Sequence, residues 1–272
     1  MEKTPAKILM PRTHELLAIR SPSGEMLRGD LFSADSPGTH AVVFVHGFAS
    51  HRNGEKSLAL QVECARRGWT FAAIDCRGHG ESEGKMRDLR GTRLIEDLAA
   101  LRNHLATRGI QQLFLVGSSM GGFASAWFAL GVPEVKSCAF IAPAFRFVER
   151  RWNSLSDLER AYRKAMNVVG YKNDWVDVEV GYCLVEEVPQ FQFDELVRSW
   201  TKPAIIFHGL ADTTVPATDS IDFQAQANGN IELRLFKQGD HRLTELKDEM
   251  AREACRFFEH QLTISTCQNL SV

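Results

Sequence analysis

Six short apolar runs separated by longer stretches constrain this chain more than any other feature. They are AVVFVH from Ala41, WTFAAID from Trp69, QLFLVG from Gln112, SCAFIA from Ser137, PAIIFH from Pro203 and IELRLF from Ile231, bounded by Gly, Pro or Asp. A run that is apolar at odd and even positions alike cannot leave one face in water, so these read as strands of a sheet covered on both sides. Between them lie amphipathic stretches. In Gly91 to Gly109, Leu94, Ile95, Leu98, Leu101 and Leu105 recur at helical spacing. Glu55 to Arg67 places Leu58, Val62 and Ala65 on one face before Gly68, and roughly Thr244 to Leu262 turns Leu246, Met250, Phe257 and Phe258 toward the sheet. Strand alternating with helix predicts an α/β class with a mostly parallel, doubly wound sheet.

Two segments depart from the alternation. His14 to Phe32 carries HELLAIR and MLRGDLF around Ser21-Pro22-Ser23-Gly24, which predicts an N-terminal antiparallel hairpin. Between Ala142 and Pro203 some sixty residues intervene, far more than a crossover loop needs. The division expected is a core domain of residues 1–143 and 201–272 with an inserted cap, 144–200. Within the cap, Leu158, Ala161, Tyr162, Ala165 and Val169 have helical spacing. Val176, Val178, Val180, Tyr182 and Leu184 alternate at period two, and Phe193, Leu196, Val197 and Trp200 suggest a short returning helix. The polar tail from Ser265 to Val272 is expected to fray.

Composition narrows the partners. Lys and Arg number 32 against 34 Asp and Glu, so no basic field exists to steer the chain onto nucleic acid. No apolar run approaches the roughly 18 residues that span a bilayer, and the opening residues lack an apolar signal core. Cys64, Cys76, Cys138, Cys183, Cys255 and Cys267 are scattered without a CxxC pair. They read as free thiols in a reducing compartment, and a cytoplasmic, membrane-free protein is the expectation.

The chemistry gathers at strand ends. After QLFLV comes Gly117-Ser118-Ser119-Met120-Gly121-Gly122 and then the helix-compatible FASAWFAL, a GxSxG in a strand-turn-helix setting. Such glycines can serve close helix packing alone, so the neighbours matter. AIIFH leads to Asp212 in GLADTTVP, and IELRLF leads to His241 in KQGDH. In a parallel sheet these loops share one edge, so hydroxyl, carboxylate and imidazole can converge in the order Ser, acid, His. A serine hydroxyl needs a base to remove its proton, and the base needs an anion to orient it. Asp240 adjoins His241 but is the weaker choice, since adjacent side chains in extended or turn segments project apart. Backbone N–H groups of Met120 and of Phe48, in His46-Gly47-Phe48, are the candidate oxyanion donors. His46, His79 and His208 read as shaping residues; no metal spacing such as HExxH appears, so neither metal nor cofactor is expected.

With HGF at His46 to Phe48, DCRGHGES at Asp75 to Ser82, GSSMGG, HGLADTTVP and GDH, the chain resembles the α/β-hydrolase superfamily from about His14 to Leu262. It is most similar to the serine aminopeptidase-like and feruloyl-esterase-like group, though Ser118 stands where many relatives carry His. The resemblance implies an α/β-hydrolase fold, a catalytic Ser119, Asp212 and His241, and an oxyanion hole of Phe48 and Met120. The activity expected is carboxylic-ester hydrolysis through an acyl-enzyme, on a small-molecule acyl substrate. A thioesterase, peptidase or amidase would use the same residues, and a non-catalytic receptor could keep them. Dehalogenase or epoxide-hydrolase chemistry needs an aspartate where Ser119 stands.

Overall fold

In the computed structural model, which describes residues 13–34, 38–153, 155–172 and 177–269, β1 (Thr13–Arg20) and β2 (Met26–Ser33) form the expected antiparallel hairpin. Gly24, at φ 102°, closes its turn. The core then alternates through β3 (His40–Val45), α1 (Glu55–Arg66), β4 (Thr70–Ile74), α2 (Gly91–Thr107), β5 (Gln112–Ser118), α3 (Met120–Leu130) and β6 (Val135–Ile141). The excursion that follows holds α4 (Phe147–Asn153), α5 (Asp157–Met166), β7 (Val168–Lys172), β8 (Asp177–Gly181), α6 (Cys183–Glu186) and α7 (Phe193–Ser199). The chain then returns through β9 (Ala204–Gly209), α8 (Thr218–Gln226), β10 (Ile231–Phe236) and α9 (Lys247–Asn269).

The main sheet has eight strands in the order β1-β2-β4-β3-β5-β6-β9-β10, antiparallel as far as β4 and parallel from there on. Successive side chains on a strand face opposite ways, and the two cores follow that alternation. Val42, Phe44, Phe114, Val116, Ile205 and Phe207 pack with Leu60 and Cys64 of α1 and Met250 and Phe258 of α9. Val43, Val45, Leu113, Leu115 and Ile206 pack with Leu94, Leu98 and Leu101 of α2 and Phe123 of α3. Burying a ring such as Phe258 contributes roughly 2–3 kcal/mol. This is the α/β-hydrolase architecture expected.

Local readings are corrected in several places. In α1 the buried face holds Ser57, Ala59, Leu60, Glu63 and Cys64, while Leu58 and Val62 are exposed. The charge on Glu63 is reconciled with burial by Arg66 and Arg67, which pair with it, so hydrophobicity alone misassigned the face. At the C-terminus, α9 continues through Asn269 instead of fraying from Ser265. In the excursion the helix stops at Met166, where Asn167 takes the left-handed conformation that ends helices, and Val169 belongs to β7.

The excursion otherwise follows its pattern of helix, hairpin and short helix, except that β8 ends at Gly181 and Tyr182 and Leu184 pass into α6, not the strand; Phe193, Leu196, Val197 and Trp200 are buried. Trp175 and Val176 lie outside the described residues. Glu187 reaches back to the start of α2, where its carboxylate accepts from Thr92 N at 3.1 Å and from the Thr92 hydroxyl. A negative group at that positive helix end ties the excursion to the core. Helix α5 has no buried residue: Arg160 donates to Trp152 O at 3.2 Å, and Leu158, Tyr162 and Met166 face solvent. None of the described helices is long and apolar enough to cross a membrane.

Candidate active site

The chain leaves β3 for β4 on one side of the sheet and later enters β5 on the other, so a crevice opens where the strand order reverses. Ser119 stands at that point. Strand β5 ends at Ser118 and α3 starts at Met120, and the single residue between them takes φ 52° and ψ −115°. Such a setting costs a non-glycine residue about 1–3 kcal/mol and persists only where its surroundings enforce it. The enforcement is visible: Ser119 N donates to Ile141 O at 3.0 Å, and Ser119 O accepts from Gly122 N at 2.9 Å and Ala144 N at 3.1 Å. A Cβ on Gly117 would run into the backbone of Gly121, and one on Gly121 into the carbonyls of Val45 and His46. Met120 opens the helix, so its N–H has no carbonyl one turn back to bond.

The loop after β3 lies beside this elbow because Val45 pairs with Gly117 in the register. A Cβ on Gly47 would sit 3.4 Å from Ser119 Cβ. His46 is buried, and its Nε2 accepts from Cys76 N at 3.0 Å, which leaves the ring proton on Nδ1 to donate to Gly47 O at 2.7 Å. Carbonyl and N–H of one trans peptide point in opposite directions, so anchoring Gly47 O also fixes where the Phe48 N–H points. Burial pushes the His46 imidazole below its ordinary range. His79, whose ring lies 5.0 Å from that of His46, is pushed down to about 4 by burial and by that neighbour. Both histidines are therefore neutral near pH 7, in keeping with a shaping role.

Acid and base arrive from adjacent strands. Phe236 of β10 pairs with Gly209 of β9, and Ala211 N donates to Gly239 O at 3.0 Å, which locks the two following loops together. Asp212 Oδ1 accepts from Thr214 N and Val215 N, both at 2.8 Å, while Oδ2 lies 2.7 Å from His241 Nδ1. His241 Nε2 lies 3.0 Å from Ser119 Oγ. The Asp212 side chain has no exposure and that of His241 has 16%. Burial alone would raise the Asp212 carboxyl, but hydrogen bonds from His208 and His241 outweigh it and hold the group well below the usual carboxylate range. Asp240 is placed elsewhere: its Oδ1 accepts from Arg242 N at 3.0 Å and Leu243 N at 2.8 Å. Its carboxylate thus serves its own turn, as reasoned from adjacency.

The sequence reading missed two features. His208 is fully buried against Asp212, a contact signalled only by its place at the end of β9. Phe147 and Tyr171, from the excursion, pack with Phe48 in an aromatic cluster whose ring centroids lie 5.1 to 5.8 Å apart. Phe191 packs against Phe123 and Trp127, Trp152 packs against Tyr182, and Tyr162 faces outward. Among the described residues no group of three or more His, Cys, Asp or Glu could hold a metal ion.

Fold and site together define the class, an α/β-hydrolase with its polar constellation at the carboxyl edge of the sheet. The chain belongs to the serine aminopeptidase (S33) family of hydrolases, whose sequence pattern matches residues 37–179, more than half of its length. It is 26% identical over 215 residues to the mitochondrial palmitoyl-protein thioesterase ABHD10 of Mus musculus, covering 77% of this chain and 71% of that one. The putative hydrolase from Agrobacterium vitis superposes with a TM-score of 0.81 at 23% identity, covering 90% of this chain and 98% of that one. Est1E of Butyrivibrio proteoclasticus, solved with ferulic acid bound, gives a TM-score of 0.75 at 22% identity, covering 91% and 99%. At these identities the two structures support the fold alone.

Proposed function

We propose that the chain hydrolyses carboxylic esters through an acyl-enzyme on Ser119. The observation that carries this reading is the unbroken line from Ser119 Oγ to His241 Nε2 at 3.0 Å and from His241 Nδ1 to Asp212 Oδ2 at 2.7 Å. His241 takes the hydroxyl proton as Oγ bonds to the acyl carbon, and Asp212 stabilises the imidazolium so formed. The carbonyl oxygen becomes an anion that the N–H groups of Phe48 and Met120 stabilise. His241 then gives its proton to the leaving alcohol as the C–O bond breaks. Water repeats the sequence on the acyl-Ser119 and releases the acid. No step calls for a cofactor or metal.

Segment 144–200 serves as a cap, and Phe147 and Tyr171, packed on Phe48, give the oxyanion loop an apolar wall suited to an aromatic or aliphatic acyl group of a small substrate. Thioester hydrolysis is the second reading, favoured by the ABHD10 relatives, which are named palmitoyl-protein thioesterases. Among the described residues Cys64, Cys76, Cys138, Cys183 and Cys255 are free thiols, which supports a reducing compartment such as the cytoplasm; the ABHD10 relatives are named mitochondrial. The test is labelling by a fluorophosphonate, expected on wild type and lost in Ser119→Ala, followed by initial rates on p-nitrophenyl esters, acyl thioesters and aminoacyl anilides. Labelling that persists in Ser119→Ala rules the mechanism out. Rates led by thioesters or anilides replace the ester assignment.

A further inference from the structure

One buried polar group next to the line Ser119, His241 and Asp212 has no part in the mechanism above. His208, at the end of β9, has no exposed side-chain surface. Its Nε2 lies 3.2 Å from Asp212 Oδ2 and 3.0 Å from Val215 O, and its Nδ1 lies 2.7 Å from Ser220 Oγ. Two acceptors crowd Nε2, so the ring proton sits there, and Nδ1 is left to accept from the Ser220 hydroxyl. Ser220 is itself fully buried in α8, so water does not compete for that bond. Oδ2 of Asp212 therefore receives two imidazole N–H groups, one mobile and one fixed. Oδ1 receives the N–H groups of Thr214 and Val215.

We infer that His208, with its proton kept on Nε2 by Asp212 and Val215 O and its Nδ1 satisfied by Ser220, is a positioning residue that shares Oδ2 of Asp212 with His241 and so sets both the aim and the strength of the anion behind the base. This rests on the acyl-hydrolase reading of Ser119. The physical content is a division of charge. A carboxylate oxygen that accepts from His208 offers less of its charge to His241, and it cannot rotate without giving up that contact and leaving the His208 N–H to Val215 O alone. Removing the fixed donor should loosen the carboxylate, which slows proton removal from Ser119. It should also concentrate the charge on His241, which holds its imidazolium proton to higher pH. Among the described residues, the charged and titratable groups around this unit are His208 and His241, which face Asp212, Asp219 beside Ser220, paired with Arg146 and Arg150, and Glu55, paired with Arg242. Asp240 and Arg242 flank His241 in its loop, and Lys56 of α1 lies near enough to those two to interact electrostatically.

The test uses the rate of fluorophosphonate labelling against pH on the full chain. His208→Phe keeps the ring volume and removes the donor, whereas the amide nitrogen of His208→Gln can occupy the position of Nε2. We expect His208→Phe to label roughly tenfold slower on the plateau, about the loss of one hydrogen bond to a charged group. Its acid limb should move to higher pH. His208→Gln should recover most of the rate, and Ser220→Ala should shift the limb the same way by less. Ser220→Ala removes one oxygen and carries the test should His208→Phe fail to fold. Equal impairment of the Phe and Gln variants with the limb unmoved, or an unmoved limb in Ser220→Ala, overturns the inference while the hydrolase reading stands. A wild type whose Ser119 takes no label overturns both.

Discussion

Asp212→Asn is the perturbation that separates the site from its surroundings most sharply. The substitution changes one atom and no volume, but it puts either an amide nitrogen or a neutral oxygen where Oδ2 now stands. Asp212 Oδ1 is already held by Thr214 N and Val215 N, which favours the amide oxygen there and forces the NH2 group to face His208 and His241. Donor then meets donor. His241 can answer only by moving its proton to Nε2, the atom that must receive the proton of Ser119. The electrostatic loss is of similar weight. An imidazolium and a carboxylate with centres about 4 Å apart attract by about 4 kcal/mol at an effective dielectric of about 20. With no exposure at Asp212, solvent screens little of this.

Together the two effects should lower kcat by about 10³ to 10⁴, with little change in KM, because they act on the transition state. The assay is steady-state hydrolysis of a p-nitrophenyl ester, with Asp240→Asn as the paired control. Asn can still accept from Arg242 N and Leu243 N through its own oxygen, so the control should stay within about threefold of wild type. Equal losses in the two variants would refute the assignment of Asp212 as the acid. So would a drop in Asp212→Asn that is matched by unfolding in thermal melts.

Gly121→Ala should lower the melting temperature by on the order of 5 °C and abolish most activity, because its Cβ meets the carbonyls of Val45 and His46, which are backbone and cannot swing away. A melting temperature unchanged by this substitution would mean that the elbow is looser than its contacts imply. Acid should destabilise the protein through Asp212. Its folded carboxyl is held below the usual range, so the unfolded chain binds the proton more readily, and the stabilisation is complete above the unfolded value of about 4 and is lost as pH falls below it. Urea midpoints for wild type should therefore fall more steeply below about pH 4 than those of Asp212→Asn, and parallel slopes would contradict this.

Where backbone order decides geometry, the sequence was readable. Six short, largely apolar runs became six strands, and loops that follow parallel strands had to share an edge. Ser119, Asp212 and His241 could thus be brought together from chain order alone, though up to 122 positions separate them. Where a charge decides geometry, the pattern failed. Leu58 and Val62 looked like the inward face of α1, but Glu63, held by Arg66 and Arg67, took that side. Helix α5 departs further, burying none of its residues and leaving Leu158 in solvent.

The contacts around Asp212 show why a motif is an incomplete description of a site. His208 precedes a glycine at a strand end just as His46 does, and sequence assigns both the same shaping role. The structure separates them by what each ring nitrogen meets. His46 accepts at Nε2 and donates at Nδ1 to a carbonyl, so its influence falls on a peptide plane beside Ser119. His208 accepts at Nδ1 and donates at Nε2, so its influence falls on a carboxylate. The partner that completes the arrangement for His208 is a serine hydroxyl one helix further on, and for His46 it is a backbone N–H from the loop after β4. Neither partner is marked by a spacing, because each is set by how neighbouring strands and helices stack and not by order along the chain. A substitution at Ser220 should therefore be felt at Ser119, four polar contacts away, although no motif joins the two residues.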